Sequence, residues 1–303
     1  MSEGSGAAAG AGAGAPKVVA EIGCNHKGDF AVALEMIATA AQFCRVDVVK
    51  FQKRDVATLL TREQYAAPHP NPQHAYGQSY GAHREALEFT LEQHRALKAH
   101  CEALGVEYAT SVWDEVSARE IASLRPKRLK VPSASNLNWP MLSFLANAFE
   151  GEIHISLGMT APEEEEEIVA FFDRRGRLGD VVLYACTSDY PVAFENLHLH
   201  EITRLRERYG GRIRAVGFSG HHLGIAADVA ALALGAAWFE RHFTLDRTWK
   251  GTDHAASLEP DGLRRLTRDL AAVTLALRHK PAPILDCERP QRDKLKWTAR
   301  SRG

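Results

Sequence analysis

The sequence predicts an α/β protein, a single-domain parallel (β/α)8 TIM barrel, on three observations. Short β-branched or apolar runs recur eight times, each trailed by a segment with helical spacing. Such alternation gives a parallel sheet, and eight units of strand plus helix close on themselves. No GxGxxG word follows the first run, which removes the main argument for an open dinucleotide-binding sheet.

The elements follow in order. Residues 1–15, MSEGSGAAAGAGAGA, lack the basic start and bulky apolar segment of a secretory signal and read as a flexible Gly/Ala-rich tail. The barrel is expected over 16–280, with a C-terminal extension at 281–303. Its strands are expected at 18–23, 47–53, 106–112, 128–133, 152–158, 181–187, 214–220 and 238–244. Between the second and third, residues 57–81 carry Pro68, Pro70 and Pro72 with several histidines and tyrosines but little periodicity, and are expected to form an active-site lid. Thr160, Ala161 and Pro162 ahead of Glu163 to Glu167 mark a helix start. Consecutive helical residues point around the axis rather than at one ion, so that glutamate run reads as a solvated first turn and not a metal site.

Composition limits the function. With 303 residues and 45% hydrophobic content the chain can bury one large core. Lys+Arg 37 against Asp+Glu 38 leaves a net charge of −1, so no general attraction to nucleic acid or to a membrane is expected. The five cysteines, Cys24, Cys44, Cys101, Cys186 and Cys287, are scattered without a CxxC pair, which argues against a disulfide framework or structural zinc and fits a cytoplasmic protein. No apolar stretch reaches the roughly 18 residues of a spanning helix.

Barrel enzymes carry their chemistry at the C-terminal ends of the strands. Those ends hold Glu21, Lys50, Gln52, Thr110, Lys130, Ser133, Ser156, Thr187, Tyr190, Ser219, His221, Glu240 and His242. Buried polar groups need partners, and a ligand is the simplest common one. Lys50 and Lys130 end the second and fourth strands, where an unpaired ammonium is costly, so a phosphate or carboxylate is expected between them, with Ser133, Ser156 and Ser219 as added donors. A salt bridge to a carboxylate such as Glu21 is the competing explanation for either lysine. His221 and His242 end adjacent strands, close enough to share one ion and leave open coordination positions. His222 reads as a rim or acceptor contact and His254 as part of a closing loop.

These residues lie in words that match something specific: AEIGCNHKGD at 20–29, DVVKFQK at 47–53, KVPS at 130–133, ISLGM at 155–159, CTSDYP at 186–191 and the long block from 217 to 260. Over residues 18–277 the sequence resembles the sialic acid synthase family. The resemblance implies a (β/α)8 barrel that uses a divalent metal, Mn2+ with Mg2+ or Co2+ as alternatives, to condense phosphoenolpyruvate with an N-acylmannosamine or mannose, giving a nonulosonic acid and phosphate. By motif, Lys50, Thr110, Lys130, Ser133, Ser156 and Ser219 correspond to phosphoenolpyruvate contacts and His221 and His242 to the metal ligands. Glu21, Gln52, Tyr190 and Asp253 fall at the family's catalytic or acceptor-binding positions.

SGHH at 219–222, WKGTDHAASLEP at 249–260 and YGQSYGAHREALEF at 76–89 are more similar to the family's 9-phosphate synthases, which implies an aldose 6-phosphate as acceptor. Lys53, Arg54, His74, His83, Arg84, His222 and Lys250 would then supply positive charge around the mouth. Ser135 stands where the family is expected to carry an acid, and Ser188 where asparagine is frequent. The final stretch, ILDCERPQRDKLKW, looks like the linker toward the antifreeze-like domain of many members, which is expected to be lacking here. A homodimer is implied by the resemblance. The alternatives are a related synthase using another aldose, and a sugar-phosphate-binding homologue without activity.

Overall fold

The computed structural model describes residues 15–297, so the tail expected at the N-terminus falls almost wholly outside the described residues. Eight parallel strands form a closed barrel in sequence order. They are β1 Lys17–Gly23, β2 Val48–Lys53, β3 Glu107–Val112, β4 Arg128–Val131, β5 Glu152–Ser156, β6 Val181–Cys186, β7 Ala215–Gly220 and β8 Trp238–His242. The principal helices are α1 Phe30–Ala38, α2 Leu91–Ala103, α3 Glu115–Ser123, α4 Trp139–Ala148, α5 Pro162–Asp173, α6 His200–Tyr209, α7 Ala226–Ala233 and α8 Pro260–Ala276. Each expected strand is present. Several end earlier than expected, β4 most clearly, because Pro132 has no N–H for the ladder.

Helix starts follow local chemistry. Asp29 caps α1 by accepting from the Ala31 and Val32 amides, and Thr90 with Gln93 forms a capping box on α2. Glutamates 163 to 165 occupy the first turn of α5, as the helix dipole favours. They are not all solvated: Glu165 is buried and takes a two-pronged contact from Arg204, at 2.8 and 2.7 Å.

The core has two parts. A large shell of aliphatic and aromatic side chains lies between the strands and the helices, and a smaller cluster, Val19, Val48, Ala109, Val182, Tyr184 and Trp238, fills the barrel interior. Side chains alternate in a strand, so these inward positions fix the rest of the inner face. Above them toward the C-terminal ends come Glu21, Lys50, Ser111, Lys130, Ser156, Ser219 and Glu240.

The segment expected as a lid is ordered as short pieces, Val56–Leu59, Arg62–Ala66, Pro72–His74 and Tyr80–Ala86. It reaches across the mouth to the loop after β8: the Tyr76 hydroxyl donates to the Lys250 carbonyl, and the Gly251 amide donates to His74 Nδ1 at 3.1 Å. At the far end, Arg289–Leu295 adds a short exposed helix.

Candidate active site

The C-terminal end of the barrel encloses a well of about 250 Å³ lined by Glu21, Lys50, Gln52, Ser111, Lys130, Ser133, Ser156, Cys186, Ser188, Tyr190, Ser219, His221, Glu240 and His242. A cavity of about 1320 Å³ opens at the opposite end, among Arg128, Glu152, Arg214 and Trp238, and contains none of the expected site residues. The chemistry therefore belongs to the smaller space.

Four charges form its base. Lys50 Nζ lies 2.5 Å from Glu21 Oε2 and 3.6 Å from Glu240 Oε1, and bonds Ser111 Oγ at 2.7 Å. Lys130 Nζ lies 2.9 Å from Glu240 Oε2, and Ser219 Oγ donates to Glu240 Oε1 at 3.2 Å. Gln52 Nε2 donates to Glu21 Oε1 at 2.7 Å. Gly23 permits that bond: it sits at φ +55°, at the register shift between β1 and β2, and a Cβ there would meet Gln52 Nε2 at 2.8 Å. Both lysines have carboxylate partners, and the Glu21 contact weighed in the sequence as the competing explanation is present at Lys50. Glu240, named in the sequence only as a strand-end residue, bridges them.

Burial opposes charge on Lys50, Lys130 and Glu240, and the partners decide the outcome. It pushes Lys50 down, but Glu21 and Glu240 outweigh it and hold the ammonium above its ordinary value. Lys130 is pushed below its ordinary value by burial, against the attraction of Glu240 and with repulsion from Lys50. Burial raises Glu240, and the two lysines reverse this and hold the carboxyl well below the usual range.

Above the base, the His221 and His242 rings lie 5.5 Å apart, and the Tyr190 ring packs 4.1 Å from His221 and 5.8 Å from His242. His221 Nδ1 bonds the Thr187 carbonyl at 2.9 Å, which fixes its N–H there and leaves Nε2 as a lone-pair donor. Burial, with His242 nearby, lowers His221 to about 3, so it is neutral at pH 7. His242 Nδ1 is buried without a hydrogen-bond partner among the described residues, 3.9 Å from Asp253 Oδ2. Two neighbouring imidazoles, one of them oriented by a backbone carbonyl, and a nearby carboxylate fit an open divalent-cation site completed by other ligands. Among the described residues there is no group of three His, Cys, Asp or Glu placed to hold an ion unaided.

Thr110 is not brought into the well. It sits between inward-facing Ala109 and Ser111, so its side chain points to the helix layer and donates to the Tyr108 hydroxyl at 2.6 Å. Ser111, one residue on, takes the expected place; period two along β3 was the signal that identifies it. Asp253 stands beside His242 rather than on the wall of the well. Ser135 turns away and donates to the Trp113 carbonyl at 2.8 Å.

Several residues expected at the mouth are internal. His222 is fully buried against Asp228 and Arg241, with Arg241 NH2 donating to its carbonyl at 2.5 Å. Arg54 is buried in an ion pair with Glu88 at 3.2 Å, and buried His83 is lowered to about 4 by burial and by Arg84. Three cations do border the mouth on aromatic faces: Lys27 Nζ lies 3.4 Å from the Trp249 ring centre, Lys250 4.9 Å from Tyr76 and Arg84 5.0 Å from Tyr80. Lys27, absent from the expected set, lies in the turn after β1.

Comparison with known proteins places this geometry. The NeuB family model matches residues 36–281. The chain is 36% identical over 278 residues to N-acetylneuraminate-9-phosphate synthase of Homo sapiens, spanning 92% of this chain and 76% of that protein. It is 31% identical over 261 residues to N,N'-diacetyllegionaminic acid synthase of Campylobacter jejuni, covering 86% and 77%. Its structure matches the N-acetylneuraminic acid (sialic acid) synthetase of Leptospira borgpetersenii, solved with citrate, at a TM-score of 0.79 and 25% identity over 95% and 94% of the two chains. A family match over most of the barrel, on a well whose charged base and paired imidazoles stand at the strand ends, means that the chain belongs to the NeuB family.

Proposed function

We propose that this sugar-acid synthase condenses phosphoenolpyruvate with an N-acylmannosamine 6-phosphate, releasing phosphate and giving a nonulosonic acid 9-phosphate, with Mn2+ as its divalent metal. One observation carries the reading: two lysines with serine donors line the same well as two imidazoles whose rings lie 5.5 Å apart.

Lys50 and Lys130 bind the phosphate and carboxylate of phosphoenolpyruvate through charge-assisted hydrogen bonds, and Ser111, Ser133, Ser156 and Ser219 add neutral ones. As the anion enters, each lysine exchanges part of its contact with Glu240 for the ligand. Gln52 and Lys50 hold the Glu21 carboxylate in place, where it offsets positive charge developing at C2 of the enol or accepts a proton from the water that adds there. His221 and His242 would hold the metal, which supplies Lewis-acid polarisation of the acceptor aldehyde. Tyr190, packed on both imidazoles, lines the rim on that side.

The 6-phosphate reading rests on Lys27, Arg84 and Lys250, whose charges border the mouth on three segments. A second phosphate would draw them off their aromatic rings. Mass spectrometry of products from phosphoenolpyruvate, Mn2+ and a panel of N-acylhexosamines with and without the 6-phosphate tests both parts. A product mass equal to the acceptor sugar phosphate extended by the three carbons of phosphoenolpyruvate, with one phosphate retained, and a higher kcat/KM for the phosphorylated sugar, is expected. An equal rate with the free sugar rejects the phosphate assignment, and full activity after exhaustive chelation rejects the metal.

A further inference from the structure

We propose that Tyr184, oriented by His154 and Glu152, is a positioning residue that holds Lys130 in the base of the well and thereby sets the affinity for phosphoenolpyruvate. The inference rests on the reading of Lys130 as a phosphoenolpyruvate contact.

The three residues form a line through the barrel interior. Tyr184 is fully buried on the inner face of β6, and Lys130 Nζ stands 3.5 Å from the centre of its ring. The Tyr184 hydroxyl lies 2.9 Å from His154 Nδ1, and His154 Nε2 lies 3.2 Å from Glu152 Oε2. Glu152 is tied to Arg214 at 2.6 Å and to Arg128 at 3.3 Å. An ionised carboxylate is acceptor-only, so the His154 proton sits on Nε2. Burial lowers His154 to about 4, so the ring is neutral and its bare Nδ1 accepts from the phenol. A phenol that gives its hydrogen to a basic nitrogen has a more electron-rich ring, and that ring faces the ammonium.

The surroundings are shaped for this ring. Tyr184 pairs in register with Gly217 on β7, and a Cβ at 217 would lie 2.5 Å from Tyr184 Cε1. The edge of His154 is fixed by Trp238, at 4.7 Å and 80°. An aliphatic residue at 184 would fill the lumen but offer Lys130 no negative face. The ammonium would then be drawn toward Glu240 alone, in an environment that already favours loss of its proton.

Phosphate release by the purified enzyme, with phosphoenolpyruvate varied at saturating acceptor, tests the assignment. Tyr184→Leu is expected to raise the KM for phosphoenolpyruvate about tenfold, with kcat and the acceptor KM nearly unchanged. Tyr184→Phe keeps the ring, should restore most of the affinity, and carries the test if the leucine variant does not fold. In a Lys130→Met background, Tyr184→Leu should add nothing, because residues acting through one group are not additive. Effects that multiply in the double variant, or an equal rise of both KM values with a fall in kcat, would show that Tyr184 is merely structural and overturn the proposal. A large Lys130→Met effect beside a silent Tyr184→Leu overturns this inference alone, whereas an unaltered phosphoenolpyruvate KM in Lys130→Met overturns the underlying reading of the lysine.

Discussion

Lys50 and Lys130 show how one residue type can be located from sequence while its neighbours are not. A lysine at the end of a buried strand is visible because its burial demands a partner. The partner here is partly Glu240, on a strand separated from both lysines in sequence, and only closure of the barrel brings it between them. Thr110 and Ser111 show the opposite case. Both are small hydroxyl residues at the same strand end, and the difference between wall and well is one step of the pleat. Ser111→Ala should therefore raise the phosphoenolpyruvate KM severalfold by removing the hydroxyl that holds Lys50, while Thr110→Val should leave that KM unchanged and cost about 1 kcal/mol of stability through the lost bond to Tyr108. Steady-state kinetics and denaturant melts of the two variants check this, and the reverse pattern would return Thr110 to the site.

At the scale of elements, the alternation of strands and helices was readable because hydrophobic period changes from 2 to 3.6 at every junction. The segment between β2 and α2 was not, since four short helical pieces carry too few turns for periodicity. What identifies it is its reach. Tyr76 and His74 fasten it to the backbone at Lys250 and Gly251, so the lid and the loop after β8 form one edge of the mouth. That coupling predicts that Tyr76→Phe raises the acceptor KM severalfold and leaves the phosphoenolpyruvate KM and the melting temperature almost unchanged, because the bond is on the rim and not in the core. Equal acceptor kinetics in the variant would separate the lid from acceptor binding. The mouth histidines were misplaced from sequence for the related reason that burial of His83 and His222 depends on packing between segments far apart in the chain.

For the molecule as a whole, buried neutral histidines tie stability to pH. Burial lowers His26 and His94 to about 3, and His83, His154 and His254 to about 4. In the unfolded chain each takes up a proton near 6.5, so the unfolded state binds more protons throughout the interval between. The stability contributed by their neutrality is complete above about pH 6.5 and is lost as pH falls toward 4 for His83, His154 and His254 and toward 3 for His26 and His94. Melting temperatures recorded by circular dichroism should be flat from pH 8 to 7 and fall steeply from 6.5 to 5. A constant value down to pH 4.5 would refute the burial argument.

The aromatic filling of the barrel interior has a further consequence, for the order of events. Trp238, Tyr184 and His154 fill the lumen beneath the charged base, so among the described residues the well opens toward the mouth. Lys50 and Lys130 are almost fully covered, whereas Tyr190 at the rim is 45% exposed. A molecule bound on the lysines must enter before, and leave after, whatever occupies the rim. With phosphoenolpyruvate on the lysines as proposed, catalysis in such a blind well should be compulsorily sequential: phosphoenolpyruvate should load first, and a dead-end analogue of the acceptor sugar should inhibit uncompetitively against it.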